Sequence, residues 1–220
     1  MALATGLPAP TLNGVWCTRA AEAVQVSGPA GSRRREWPAT LRPVLSGLLS
    51  AGRDGPGTRM VREADLPLMR RDADSSVPAV PMEPDGLVVG RLAPEEARVH
   101  GLVAARGFGA PEAAFAPPTS SALASRDELG YYVGELEGEP VVTGLGLRLD
   151  DYLGVFDVAR PPEARRRGYG AALTARIIED GFDDGARWAW LQSSPDGHRV
   201  YQRLGFRKVA FWQCWIANPS

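Results

Sequence analysis

Arg165-Arg166-Arg167-Gly168-Tyr169-Gly170 is the stretch of this chain whose residue types and spacing could do chemistry. Backbone amides of a glycine-bearing loop, continued by a helix N-terminus, make a seat for phosphate. The N–H groups point outward and the helix dipole favours an anion. A Cβ at 168 or 170 would hold the backbone away from phosphate oxygens, and the arginines add positive charge. Tyr201, just before Leu204-Gly205-Phe206, offers a phenol, while Asp157 and Asp196 offer carboxylates on either side of the run. Ser193, Asp196 and His198 fall within six residues of one another without a Gly-x-Ser-x-Gly elbow, so they do not make a hydrolytic triad.

The loop needs a strand before it and a helix after it. Residues 152–159 are apolar and strand-like, and the run from Ala171 places Gly170, Leu173, Ile177 and Gly181 on one helical side. Residues 187–192 predict the next strand. A helix starting at 193–196 then carries Val200, Tyr201 and Leu204, with Asp196 as a cap or first-turn anion, Gly205 ends it, and 209–216 is the last strand. Upstream, 86–92 predicts a strand. Ala93-Pro94-Glu95-Glu96 opens a helix with Leu102, Val103 and Phe108 on its apolar side. A Pro/Ser-rich loop at 116–125 leads to a hairpin of 130–136 and 140–147, turned at Glu137-Gly138-Glu139. Gly144-x-Gly146 sits inside a strand and lacks the spacing of a dinucleotide-binding loop. The order β-α-(α)-β-β-β-α-β-α-β belongs to a layered α/β domain.

The pattern Arg165-x-x-Gly168-x-Gly170, preceded by Val158-Ala159 and Pro162-Glu163 and followed by Ala172-Leu173-Thr174, resembles the GNAT superfamily of acyl-CoA-dependent N-acetyltransferases. Tyr201 before Leu204-Gly205-Phe206 extends the resemblance, which covers about residues 86–216. It implies an α/β fold: a mixed, mostly antiparallel sheet with splayed parallel strands at the cofactor site and helices on both faces. It implies acetyl-CoA as cosubstrate and no metal. Contacts would come from Val158, Ala159, Arg165, Arg166, Arg167, Gly168, Tyr169, Gly170 and Ala171, with pantetheine entering the splay like an added strand. Tyr201 would protonate the departing thiolate; for the base, the residues themselves offer Asp157 on the splayed strand or Asp196 near the next helix start, either acting through a water on the amine. The implied reaction is direct acetyl transfer to a primary amine, on a protein lysine or a small molecule. The alternative is a catalytically silent module that senses acyl-CoA, which has no need of an acid at 201. In the bacterial subset most like this chain, residue 160 is usually threonine and 157 often asparagine; here they are Arg160 and Asp157.

With 220 residues, 44% hydrophobic and 23% charged, the chain reads as a soluble globular protein. A net charge of -1 gives no bulk attraction to nucleic acid or an anionic membrane. No apolar run approaches the roughly 18 residues of a membrane span, and no signal peptide is evident, so the expected compartment is the cytoplasm. Cys17 and Cys214 do not make a disulfide framework, and His100 and His198 are too isolated for a metal cluster. Residues 1–85 are rich in Pro, Gly and Ser and have no second phosphate loop. They are expected to be a degenerate GNAT-like half or an irregular extension that covers the catalytic domain or helps form a homodimer. Residues 86–220 are the acetyltransferase domain, reached through a proline-bearing linker at 77–86.

Overall fold

A computed structural model describes residues 2–4, 13–17, 59–75, 84–116 and 118–218. Most of the linker expected at 77–86 lies outside the described residues, as do residues 5–12 and 18–58. The strands are β1 (Ala2–Ala4), β2 (Asn13–Cys17), β3 (Arg59–Asp72), β4 (Leu87–Arg91), β5 (Leu129–Leu136), β6 (Glu139–Leu149), β7 (Tyr152–Ala159), β8 (Trp188–Gln192) and β9 (Arg207–Asn218). The helices are α1 (Ala97–Phe108), α2 (Ser121–Ala124), α3 (Tyr169–Asp183) and α4 (His198–Arg203). The chain divides into two compact units, Met1–Leu66 with Ala210–Ser220, and Pro67–Val209. In the first, β1 pairs antiparallel with β2, and β2 antiparallel with β9, Trp16 opposite Cys214.

The second unit is a mixed sheet in the order β3-β8-β7-β6-β5-β4. Only β7 and β8 run parallel; the other pairs are antiparallel. Strand period puts alternate residues of β6 on opposite faces. Thr143 and Leu145 face the α1 side, where Thr143 meets His100 and Leu145 packs on a cluster containing Ala97 and Tyr131. Gly144 and Gly146 face α3. A Cβ at 144 would stand 2.7 Å from Leu173, and one at 146 would stand 3.1 Å from Ile177. Their glycines are thus a packing device: they let α3 lie close on the sheet. The stripe Gly170, Leu173, Ile177, Gly181 is buried, as its spacing predicts. Leu173, Ile177 and Ile178 have no exposed surface, and each contributes about 1.5–3 kcal/mol by burial.

Three local expectations change. The β5–β6 hairpin turns on two residues, Glu137 (φ 52°) and Gly138 (φ 82°), a tight turn whose twist matches the strands. Phe108 is not on the buried side of α1: it is 54% exposed and stacks on Phe115 at 5.9 Å, because the buried stripe runs through Ala97, His100, Gly101 and Ala104. The bond that caps the turn before α4 comes from Ser194, whose Oγ accepts the Gly197 N–H at 3.1 Å, and Asp196 is exposed. A strand unforeseen in the sequence also appears. Residues 68–72 of β3 pair with β8 around a fully buried Met69. Arg70 and Arg71 disguise it, but their guanidinium groups lie over Trp188 and Phe182, so their stems cover apolar surface.

Candidate functional site

The site begins with one extra residue in β7. Facing β6, Thr143 is opposite Ala159 but Leu145 is opposite Phe156, so three steps on β7 match two on β6. Asp157 absorbs the surplus with φ 50°, a bulge at a residue type that tolerates the left-handed region. The bulge reverses the facing of the strand. Leu153, Val155 and Val158 all pack on the α3-side core, while Ala159 packs with Ala104 and Phe115 on the α1 side. Without the extra residue, 157 would follow 153 and 155 into the core beneath α3.

Beyond the bulge the two parallel strands part. Pairing runs from Tyr152↔Trp188 to Val155↔Leu191 and ends there. The end of β7 follows β6, while β8 follows β3, and the Ser193 N–H reaches the Pro67 carbonyl at 2.9 Å. Phe156 meets Trp190 edge-on at 5.1 Å at the fork. The backbone of Phe156–Ala159 therefore has one edge on β6 and the other turned to the gap.

The loop before α3 stands at the end of this gap. Pro162–Ala164 makes a single 3-10 turn, Arg165 is extended, Arg166 has φ 60°, and Gly168 caps the helix with φ 83°. Left-handed residues among such turns gather successive N–H groups into a concave anion seat, and Tyr169 and Gly170 open α3 ahead of Ala171, whose own N–H donates to the Gly168 carbonyl at 2.9 Å. Arg166, Arg167 and Gly168 are exposed, whereas Tyr169 and Gly170 are buried. Arg165 is turned back: it donates to the Gly107 carbonyl at the end of α1 at 3.0 Å. Beside it Arg106 pairs with Glu163 at 2.7 Å, so the loop is tied to α1. Ala171 and Val158 border the core, and Thr174 donates to the Gly170 carbonyl at 2.7 Å.

Arg160 occupies the junction. A methyl on Gly170 would collide with its Nη1, and its Nε is buried without a hydrogen-bond partner. Tyr201, half-buried on the core, stacks edge-on to Phe206 at 6.1 Å. Burial pushes the Tyr201 phenol up, and the Arg160 charge pulls against that rise. The strand end, the helix start and the phenol thus converge around one guanidinium.

On the α1 side Asp157 faces His100, with Oδ2 3.8 Å from Nε2. His100 is fully buried, and its Nδ1 is 2.8 Å from Thr143 Oγ1, which in turn donates to the Tyr132 carbonyl at 2.8 Å. Tyr131 lies edge-on to His100 at 5.5 Å; burial and the Asp157 charge push its phenol up. The sequence reading gave His100 no role. It lies on the buried stripe of α1, and its approach to Asp157 depends on the fold. Among the described residues no group of three His, Cys, Asp or Glu side chains could hold a metal, and no helix is long and apolar enough to cross a membrane.

Comparison with known proteins defines the class. The model of the Acetyltransferase (GNAT) family matches residues 97–206, half of the chain. The chain belongs to this family. It is similar in fold to a GCN5-related N-acetyltransferase from Kribbella flavida: 24% identity, TM-score 0.57, covering 81% of this chain and 65% of that one. It is also similar to a GCN5-related N-acetyltransferase from Sphaerobacter thermophilus: 20% identity, TM-score 0.58, covering 83% of this chain and 56% of that one. The chain thus spans less than two thirds of the length of either relative. No curated protein matches the sequence.

Proposed function

We propose that this chain transfers an acetyl group from acetyl-CoA to a primary amine, on a protein lysine or a small molecule, by direct attack. The observation that carries the reading is the fork of β7 and β8 opening onto the loop that starts α3. The residues fit the cosubstrate. Outward N–H groups and the unpartnered Nε of Arg160 suit a pyrophosphate, and the free edge of Phe156–Ala159 suits the amides of a pantetheine arm. Acetyl-CoA supplies a thioester carbonyl and a thiolate leaving group. Arg166 to Ala171 hold the phosphates; Val158 and Ala159 hold the arm through their backbone; Arg165 fixes the loop to α1.

An amine is mostly protonated at neutral pH. Asp157 takes one proton, directly or through one water; the C–N bond forms, the C–S bond breaks, the Tyr201 hydroxyl protonates the departing sulfur, and the second proton that the nitrogen sheds as the amide forms returns to the Tyr201 oxygen. The upward push on Tyr201 keeps that proton in place until it is needed. No second Arg-x-x-Gly-x-Gly occurs before residue 86, so one acetyl-CoA binds per chain. Thiol release measured over a panel of amines and lysine peptides, with calorimetry alongside, tests the reading. Expected are turnover on at least one acceptor, a stoichiometry of one, and at least tenfold weaker binding for Gly168→Val, which puts a β-branched residue at φ 83°. Binding without turnover on any acceptor would return the chain to the sensor reading, and unchanged affinity in Gly168→Val would remove this loop from the phosphate site.

A further inference from the structure

His100 is a fully buried polar side chain that nothing so far employs. Its hydrogen bonds fix its tautomer. The Thr143 hydroxyl spends its proton on the Tyr132 carbonyl, so toward His100 its oxygen can only accept. His100 Nδ1 must therefore carry a hydrogen, and in the neutral ring Nε2 is left with a lone pair. That lone pair has no hydrogen-bond partner and is turned to the Asp157 carboxylate, 3.8 Å away. The distance exceeds a hydrogen bond, as two acceptors with no proton between them require.

We propose that His100 is a positioning residue behind Asp157, and that the gap between Nε2 and Oδ2 is a built seat for the proton that the ammonium gives up before attack. The inference rests on the acetyl-transfer reading above. The ammonium gives its proton to the Asp157 carboxylate; a small rotation of that side chain brings the acid to Nε2, which accepts the proton. Asp157 returns to a carboxylate, now paired with an imidazolium. After the product leaves, the proton returns through Asp157, whose side chain is 24% exposed, because His100 itself has no path to water. The groups facing His100 are few: Asp157 from β7, Thr143 from β6, and the Tyr131 ring from β5, whose hydroxyl is directed to the Pro118 carbonyl. Among them only Asp157 can exchange a proton with Nε2.

The test uses His100→Asn, whose amide N–H can still donate to Thr143 but which has no base at the Nε2 position, alone and combined with Asp157→Asn. Expected is a fall in kcat of about tenfold or more, below the roughly 10²–10⁴ of a direct general base, with unchanged acetyl-CoA affinity and a displaced acidic limb of the pH–rate profile. The double variant should be no slower than Asp157→Asn alone. Wild-type kcat and pH profile in His100→Asn, or additive losses in the double variant, would overturn the proposal. A readout apart from turnover is the ¹⁵N-histidine spectrum of the resting wild-type protein, where His100 should be the Nδ1–H tautomer. An Nε2–H tautomer would overturn the seat itself. Absence of acetyl transfer by the wild-type protein with the expected tautomer present would instead locate the failure in the functional reading.

Discussion

Replacing Tyr201 by phenylalanine removes one oxygen and leaves the ring. The ring edge against Phe206 at 6.1 Å and the packing on the core are both retained, so folding and acetyl-CoA affinity should stay close to wild type. The lost group is a phenol that burial pushes up and Arg160 pulls down, with burial the larger effect. It is a proton donor at neutral pH. General acid assistance is worth roughly 10²–10⁴ in rate, or about 3–5 kcal/mol of barrier. Water replaces part of this assistance once the hydroxyl is gone, so the lower end applies: kcat should fall about 100-fold. The loss should shrink with acyl donors whose leaving thiol is more acidic, since these need less help to depart. Thiol release gives kcat, and calorimetry gives affinity. Wild-type turnover in Tyr201→Phe would remove the phenol from the mechanism; equal losses in affinity and turnover would make it a packing residue.

Three further outcomes are expected. Arg160→Met keeps the stem but removes the guanidinium beside Gly170, so calorimetry should show acetyl-CoA binding weakened about tenfold or more, in line with a charge-assisted bond of roughly 1.5–3 kcal/mol. Acetyl-pantetheine, which lacks the pyrophosphate, should bind as before. Asp157→Asn keeps a residue that tolerates φ 50° and should lose turnover but not acetyl-CoA affinity, whereas Asp157→Val, which resists that conformation, should lose both; equal affinities in the two variants would separate the bulge from the cofactor slot. Tyr131, Tyr132 and Tyr201 are all pushed up by burial, with the Asp180 carboxylate adding to the rise at Tyr132. Unfolded phenols ionise near pH 10 while the folded ones keep their protons, so this stability is present below about pH 10 and declines as pH rises. Urea midpoints between pH 8 and 11 should fall, less steeply in Tyr132→Phe, and a flat profile would refute the assignment.

The elements around the loop were legible because each has one apolar face at a clean period. The stripe Gly170–Leu173–Ile177–Gly181 reads as a helix lying on a sheet, and it is one. The sheet glycines 144 and 146 looked like a failed nucleotide motif; they are where α3 comes close. β3 was hidden because Arg70 and Arg71 break its apolar run while using their stems as cover. His100 could not be read at all. Its partners are 43 residues away at Thr143 and further still at Asp157, and only the alternation of β6 and the bulge of β7 bring the three to one face.

That bulge links the two halves of the site. A strand without it would keep pairing with its register, and residue 157, in phase with 153 and 155, would project into the core under Leu173. A carboxylate there would be buried without a partner, at a cost of several kcal/mol. One extra residue removes that conflict by turning Asp157 to the α1 face, opposite His100. The same step leaves Val158 and Ala159 out of line with β8, so pairing stops at Val155↔Leu191 and the edge is left free. On the acetyl-transfer reading proposed above, the slot for the pantetheine arm and the proton acceptor for the amine are therefore two consequences of one backbone irregularity. Evolution of this site cannot straighten β7 to gain sheet pairing without also returning the carboxylate to the apolar side.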